Sequence, residues 1–236
     1  MTISDLIGIY EKAKTRYGEN TYKKVSRILS EAKEQHKKDF LGSPAAKRAL
    51  ANGRQPDHEQ SWRAFKGKNF EKLITHIIQG EIELLGLKVV KGDRLERAMS
   101  SNLTDELNRI KRNLLVDYGE FGAHLPDVDI IIYDPDNCRV LAVISIKVTL
   151  RERIAQTGYW KFKLASDRIT KHIKVYFITP DEDGTLTKRR PAKKGRAIVE
   201  TDLDGSYILS ENDIEESDKV KQFDRFIPDL KGLLKT

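Results

Sequence analysis

Cysteine is almost missing from this chain. Cys138 is the single one in 236 residues, which excludes an internal disulfide and a cysteine-built zinc site and fits a reducing, cytoplasmic setting. Long apolar runs are missing too. None approaches the ~18 residues a membrane-spanning helix needs, and the opening MTISDLIGIYEKAK has neither the basic start nor the apolar block of a secretion signal. The five histidines are few and lack metal-ligand spacing; His124 reads as structural.

What is present is charge. Lysine and arginine number 43 against 36 acidic residues, a net charge of +7. That excess suits a polyanionic partner, nucleic acid first, better than a neutral metabolite. Both signs are interspersed, so an ordinary basic scaffold protein accounts for the composition as well. With 39% apolar residues the chain can bury one sizeable core and a small helical appendage.

From Ile3 to about Phe40, apolar residues recur at three and four, predicting two helices joined near Gly18. Residues 42–60 are rich in glycine, proline and polar residues and read as a linker, giving an N-terminal helical region over 1–55 and a main domain over 56–236. The period returns from Trp62 to Leu85, with Gly86 placed to end that helix. The polar stretch from Gly92 to Asn113 is either a surface loop with a helix or a DNA-facing arm.

Two β-type runs follow, Val128–Tyr133 and Arg139–Val148, separated by Asp134-Pro-Asp-Asn137, a strong turn signal. Beyond this hairpin the pattern predicts a helix from about Leu150 to Ser166, a strand at Ile173–Thr179, a basic loop from Lys188, a strand near Arg196–Thr201 and a last helix over 220–234. This order gives an α/β fold: a mixed central sheet flanked by helices, with an N-terminal helical extension.

A two-residue hairpin loop at Pro135-Asp136 would set Asp127 opposite residue 144, within one position of Ser145. Asp127 and Asp129 share one face, as do Ser145 and Lys147, because side chains alternate along a strand. A carboxylate and an ammonium can then meet at one end of the hairpin. Phosphodiester hydrolysis calls for that chemistry: a carboxylate on a rigid strand to hold Mg²⁺, and a lysine to offset developing charge. Asp127 would bind the metal, the backbone carbonyl of Ile146 would complete its shell, and Lys147 would assist attack. Glu71, on the helix before the hairpin, is a candidate second carboxylate. A lysine in so apolar a strand pays heavily for burial unless it has such a role.

Pro126-Asp127 followed about twenty residues later by Ser145-Ile146-Lys147 resembles the PD-(D/E)XK nuclease signature. Serine at the acidic position is similar to type II restriction endonucleases that cut CCGG and CCNGG sites. In such enzymes the missing acid comes from elsewhere, often from the helix after the lysine. That stretch here reads Tyr159-Trp160-Lys161, which leaves Glu71 and Asp129. Lys147-Val-Thr-Leu-Arg151-Glu152-Arg153 is similar to the K-x-x-x-R-E-R run of the same group. Arg151 and Arg153 suit the O6 and N7 of guanine, and Glu152 suits the N4 of cytosine. The resemblance implies a restriction-endonuclease-like core, double-stranded DNA as substrate, Mg²⁺ as cofactor, a homodimer on a palindromic site, 5′-phosphate ends and a prokaryotic cytoplasm. Lys188, Arg189, Arg190, Lys193 and Lys194 are candidates to grip the DNA backbone, while Met99 to Asn102 is a weaker candidate for base contact. Two other readings stay open: a non-specific or repair nuclease of the same fold, and a DNA-binding protein that has lost catalysis.

Overall fold

The computed structural model describes residues 1–149 and 153–234. The N-terminal periodicity forms α1 (Ile3–Tyr17) and α2 (Val25–Leu41), joined by a 3-10 stretch at Gly18–Lys24. Thr2 and Asp5 start α1 as a reciprocal capping box. The segment expected as a linker holds a helix of its own, α3 (Pro44–Ala51). Ser43 caps it and Pro44 occupies its first turn, so the residues that suggested a linker are helix-start signals.

The long helix α4 (His58–Leu84) leads to β1 (Lys88–Lys91) and α5 (Gly92–Arg97). The rest of the polar stretch forms α6 (Asp105–Leu114), capped by Thr104 and burying Leu107, Ile110 and Leu114, so it reads as a surface helix. A short hairpin, β2 (Val116–Asp117) with β3 (Ala123–His124), precedes β4 (Ile130–Asp134) and β5 (Arg139–Ile146). Then come α7 (Arg153–Ser166), β6 (Lys174–Thr179), α8 (Lys194–Asp202), β7 (Gly205–Ile208), β8 (Val220–Gln222) and α9 (Phe226–Leu233).

Six strands form one mixed sheet in the order β1-β4-β5-β6-β7-β8. The pairs β1/β4 and β4/β5 are antiparallel, and β5 through β8 run parallel. Alternate residues of the central strands feed two apolar clusters. Ile130, Ile132, Ile144 and Ile178 meet α1, α2, α4 and α9 on one side, so the N-terminal helices pack into the same cluster as α4. Ile131, Val143, Val175 and Phe177 meet α5, α6, α7 and α8 on the other. Among the described residues no helix is long and apolar enough to cross a membrane.

The expected strand at 196–201 is the helix α8. Its β-branched residues suggested a strand, but Arg196 and Val199, spaced at three, are the buried pair, and Arg196 binds Glu200 one turn on. The chain then returns to the sheet through β7. The expected last helix likewise begins as β8, passes through a 3-10 turn at Phe223–Arg225 and becomes α-helical at Phe226.

Arg196 is fully buried and anchors this half of the fold. It donates to the Leu186 carbonyl, to the Glu215 carbonyl at 2.7 Å and to Glu200 Oε1 at 2.8 Å, tying the loop before α8 to the one before β8. Truncating it strands these acceptors and the Glu200 charge. Arg196→Ala is expected to destabilise the fold by about 3–5 kcal/mol in urea titration; a loss below about 1 kcal/mol would show that the anchor is dispensable.

Candidate active site

The register of one hairpin decides which side chains meet. Ile130 lies opposite Ile144, so the ladder is offset by three residues from the pairing that a two-residue turn would give. Side chains in the turn are the cause. Asp134 Oδ1 accepts the Asp136 amide at 2.9 Å, Asp134 Oδ2 accepts from Asn137 Nδ2 at 2.7 Å, and Asn137 Oδ1 accepts the Arg139 amide at 2.8 Å. These bonds hold a longer loop over residues 135–138, with Cys138 in the left-handed region at φ 58°. A bulge between Ile132 and Tyr133 adds the remaining residue. Asp129 continues the ladder, its amide donating to the Ile144 carbonyl at 2.9 Å. That brings Asp129, rather than Asp127, level with Ser145.

Asp129 is consequently the strand carboxylate that meets the lysine. Lys147 Nζ donates to both of its oxygens at 2.8 Å, and the Ile146 amide donates to Oδ2 at 2.6 Å. The Asp129 side chain is 13% exposed and that of Lys147 30%. Lys147 stands one residue past the end of β5, its amide bonded to the Ile178 carbonyl, so the ammonium sits at the mouth of the sheet rather than in the core. Ser145 is buried and brings no charge.

Glu71 reaches the same place from α4. Burial, and next the charge of Asp129, raise its pKa; Lys91, at 3.6 Å, and Lys147 pull the other way. Two carboxylates are thus held close enough to repel. Gly92, which the sequence reading passed over, fixes this arrangement from behind: its amide donates to the Asp129 carbonyl at 3.1 Å, and a Cβ there would lie 1.8 Å from the Val128 carbonyl oxygen. No residue with a side chain allows the start of α5 to pass so near the backbone ahead of β4. Among the described residues no group of three or more His, Cys, Asp or Glu side chains forms a metal cage. The site offers the carboxylates of Asp129 and Glu71, hard oxygen donors of the kind Mg²⁺ takes when water and phosphate fill the rest of its shell.

Asp127 stands apart, 57% exposed. It accepts from Gln156 Nε2 at 2.8 Å and lies 3.8 Å from Arg153 Nη1, joining the start of α7. Arg151 and Glu152 lie outside the described residues. Lys188, Arg189, Arg190, Lys193 and Lys194 are all exposed, and Lys193 and Lys194 line an open cleft of about 470 Å³ with Ile154 of α7. Exposed Met99 precedes a 3-10 turn at Ser100–Asn102.

The chain resembles known proteins over most of its length. Residues 106–229 match the family model described as BsaWI restriction endonuclease type 2. The putative type II restriction enzyme MjaVIP of Methanocaldococcus jannaschii is 34% identical, over 98% of this chain and 93% of that protein. A probable type II restriction enzyme of Helicobacter pylori, HpyAORF263P, is 38% identical over 51% of this chain and 61% of its own length. The fold matches the restriction endonuclease PspGI in complex with substrate DNA, at a TM-score of 0.53 and 17% identity, over 98% of this chain and 93% of the other. It also matches the AgeI–DNA complex, at 0.52 and 15%, over 96% and 91%.

The raised pKa of Glu71, caused first by burial and then by the charge of Asp129, has a measurable sign. A carboxyl whose pKa is raised by folding stabilises the fold while protonated and loses that contribution as pH rises through the raised value. Glu71→Gln is therefore expected to melt above wild type in metal-free buffer, by about 2–4 °C per 1 kcal/mol relieved. The gap should widen between about pH 4 and pH 8. A gap that narrows over that range would contradict the raised pKa of Glu71.

Proposed function

The chain belongs to the BsaWI restriction endonuclease type 2 family, and from that premise we propose that it hydrolyses both strands of a short palindromic, GC-containing DNA site of CCGG or CCNGG type, using Mg²⁺. The observation that carries this reading is the meeting of Lys147 with Asp129 and Glu71 at the carboxyl end of β5. The catalytic set is Asp129, Glu71 and Lys147. Asp129 takes the strand position in preference to Asp127 because both short bonds of Lys147 go to it, while Asp127 is turned to Gln156 and Arg153.

Asp129, Glu71 and the Ile146 carbonyl would hold Mg²⁺, which when bound would supply Lewis-acid polarisation of the phosphate and a more acidic water. Lys147, aimed by Asp129, sets its ammonium beside the scissile group and offsets charge as water adds in line and the 3′-oxygen departs. The products carry a 5′-phosphate and a 3′-hydroxyl. Arg151, Glu152 and Arg153 read guanine and cytosine edges in the major groove. Lys188, Arg189, Arg190, Lys193 and Lys194 contact backbone phosphates. A two-fold site matches a homodimer, each protomer cutting one strand.

Incubation of plasmid DNA with the protein and Mg²⁺ tests the reading. Discrete fragments with 5′-phosphate ends mapping to a CCGG or CCNGG sequence are expected, with activity lost in chelator and reduced at least ~10³-fold in Lys147→Ala. A smear would point to a non-specific nuclease. Salt-dependent binding without any cleavage would point to a protein that has lost catalysis.

A further inference from the structure

N-terminal to Glu71, α4 carries a face that the site described above does not use. A cleft of about 360 Å³ opens beside Lys147 and is lined by Arg63, Lys66 and Gly67 of α4 and by Thr149 and Arg153, with no carboxylate in its lining. Its electrostatics thus favour an anion. Arg63, Gly67 and Glu71 recur every four residues, so they lie on one face of the helix, and Arg63 stands about 12 Å along the axis from Glu71. That reach covers phosphates neighbouring one bound at Lys147.

Two details narrow the ligand. Lys66 Nζ already holds an oxyanion, pairing at 2.9 Å with Glu182 from outside the cleft lining, although both side chains keep some exposure, 18% and 31%. A carboxylate in that position is a stand-in that a phosphate oxygen can replace. Gly67, in the middle of a 27-residue helix, is exposed and has no neighbouring atom within 4 Å of where a Cβ would stand. Nothing inside the protein requires glycine there, and glycine weakens a helix interior. Its bare backbone keeps the floor of the cleft open beside two cations.

We propose that this face of α4 is a track for the sugar-phosphate backbone of the strand being cut: Arg63 and Lys66 hold phosphates adjacent to the scissile one, and Gly67 leaves room for the chain beside them. The track rests on the nuclease reading and deepens it, because it sets which stretch of backbone enters the site. In the absence of DNA, Glu182 occupies Lys66, so DNA entry exchanges one oxyanion for another.

The test measures binding of a fluorescent 30-base-pair duplex centred on CCGG, in chelator, by anisotropy across a salt series, alongside plasmid cleavage with Mg²⁺. Arg63→Ala and Lys66→Ala are each expected to weaken binding about tenfold and to lower the slope of log affinity against log salt by about 0.9. Arg63→Lys keeps the wild-type slope. Gly67→Leu is expected to melt at or above wild type and yet to bind and cleave at least tenfold less well, which a merely structural glycine would not do. Wild-type affinity and slope in Arg63→Ala and Lys66→Ala, with full cleavage by Gly67→Leu, would overturn the track while leaving the nuclease reading intact. A wild-type protein that neither binds nor cuts the DNA would overturn both.

Discussion

The ion pair between Lys147 and Asp129 is the contact on which the other features converge. An ammonium at the end of an apolar strand is costly to desolvate without a partner, and losing either member leaves a half-buried charge exposed to that cost. Asp129 answers it with both oxygens and takes the Ile146 amide as well, so the pair is tied to the backbone of β5. Gly92 clamps the strand behind Asp129, and α4 brings Glu71 from the opposite face. Each of these elements is built around a lysine whose position the end of β5 dictates.

The same assembly is locally unfavourable. Burial, and next the charge of Asp129, raise the pKa of Glu71, and Lys91 and Lys147 offset them only in part. A fold under selection for stability alone would replace one of the two acids. Under the proposed function, these acids are oxygen donors held near each other before a cation arrives, a place where local rules of stability give way to chemistry. Gly67 follows the same logic at a smaller scale, sacrificing helix stability at a place where no internal contact calls for it.

Much of this was legible in the sequence. The apolar runs of β4 and β5, the helical period of α4, and Lys147, Glu71 and Asp129 as chemistry-bearing residues all follow from residue pattern. The pairing of Asp127 with the lysine did not carry over to the structure, because register depends on turn chemistry that a simple hairpin rule leaves out. Asp134 and Asn137 bond back to the chain and lengthen the loop, and a bulge adds one residue more. The signal was present in Asp134-Pro-Asp-Asn137, whose side chains favour such turns. Gly92 was invisible because its role is a close approach between segments far apart in sequence. Strand and helix were confused at 196–201 because β-branched residues mask a three-residue spacing; there, the buried arginine is what marks the helix.

Single-turnover cleavage by Asp129→Asn and Asp127→Asn, measured side by side on the same duplex, tests the central claim most directly. If the ion pair of Lys147 defines the catalytic centre, the change at 129 lowers the rate by at least ~10³-fold more than the change at 127. A rate that collapses at 127 and survives at 129 would mean that the working enzyme uses the other carboxylate and that the hairpin register described here does not hold in the DNA-bound state.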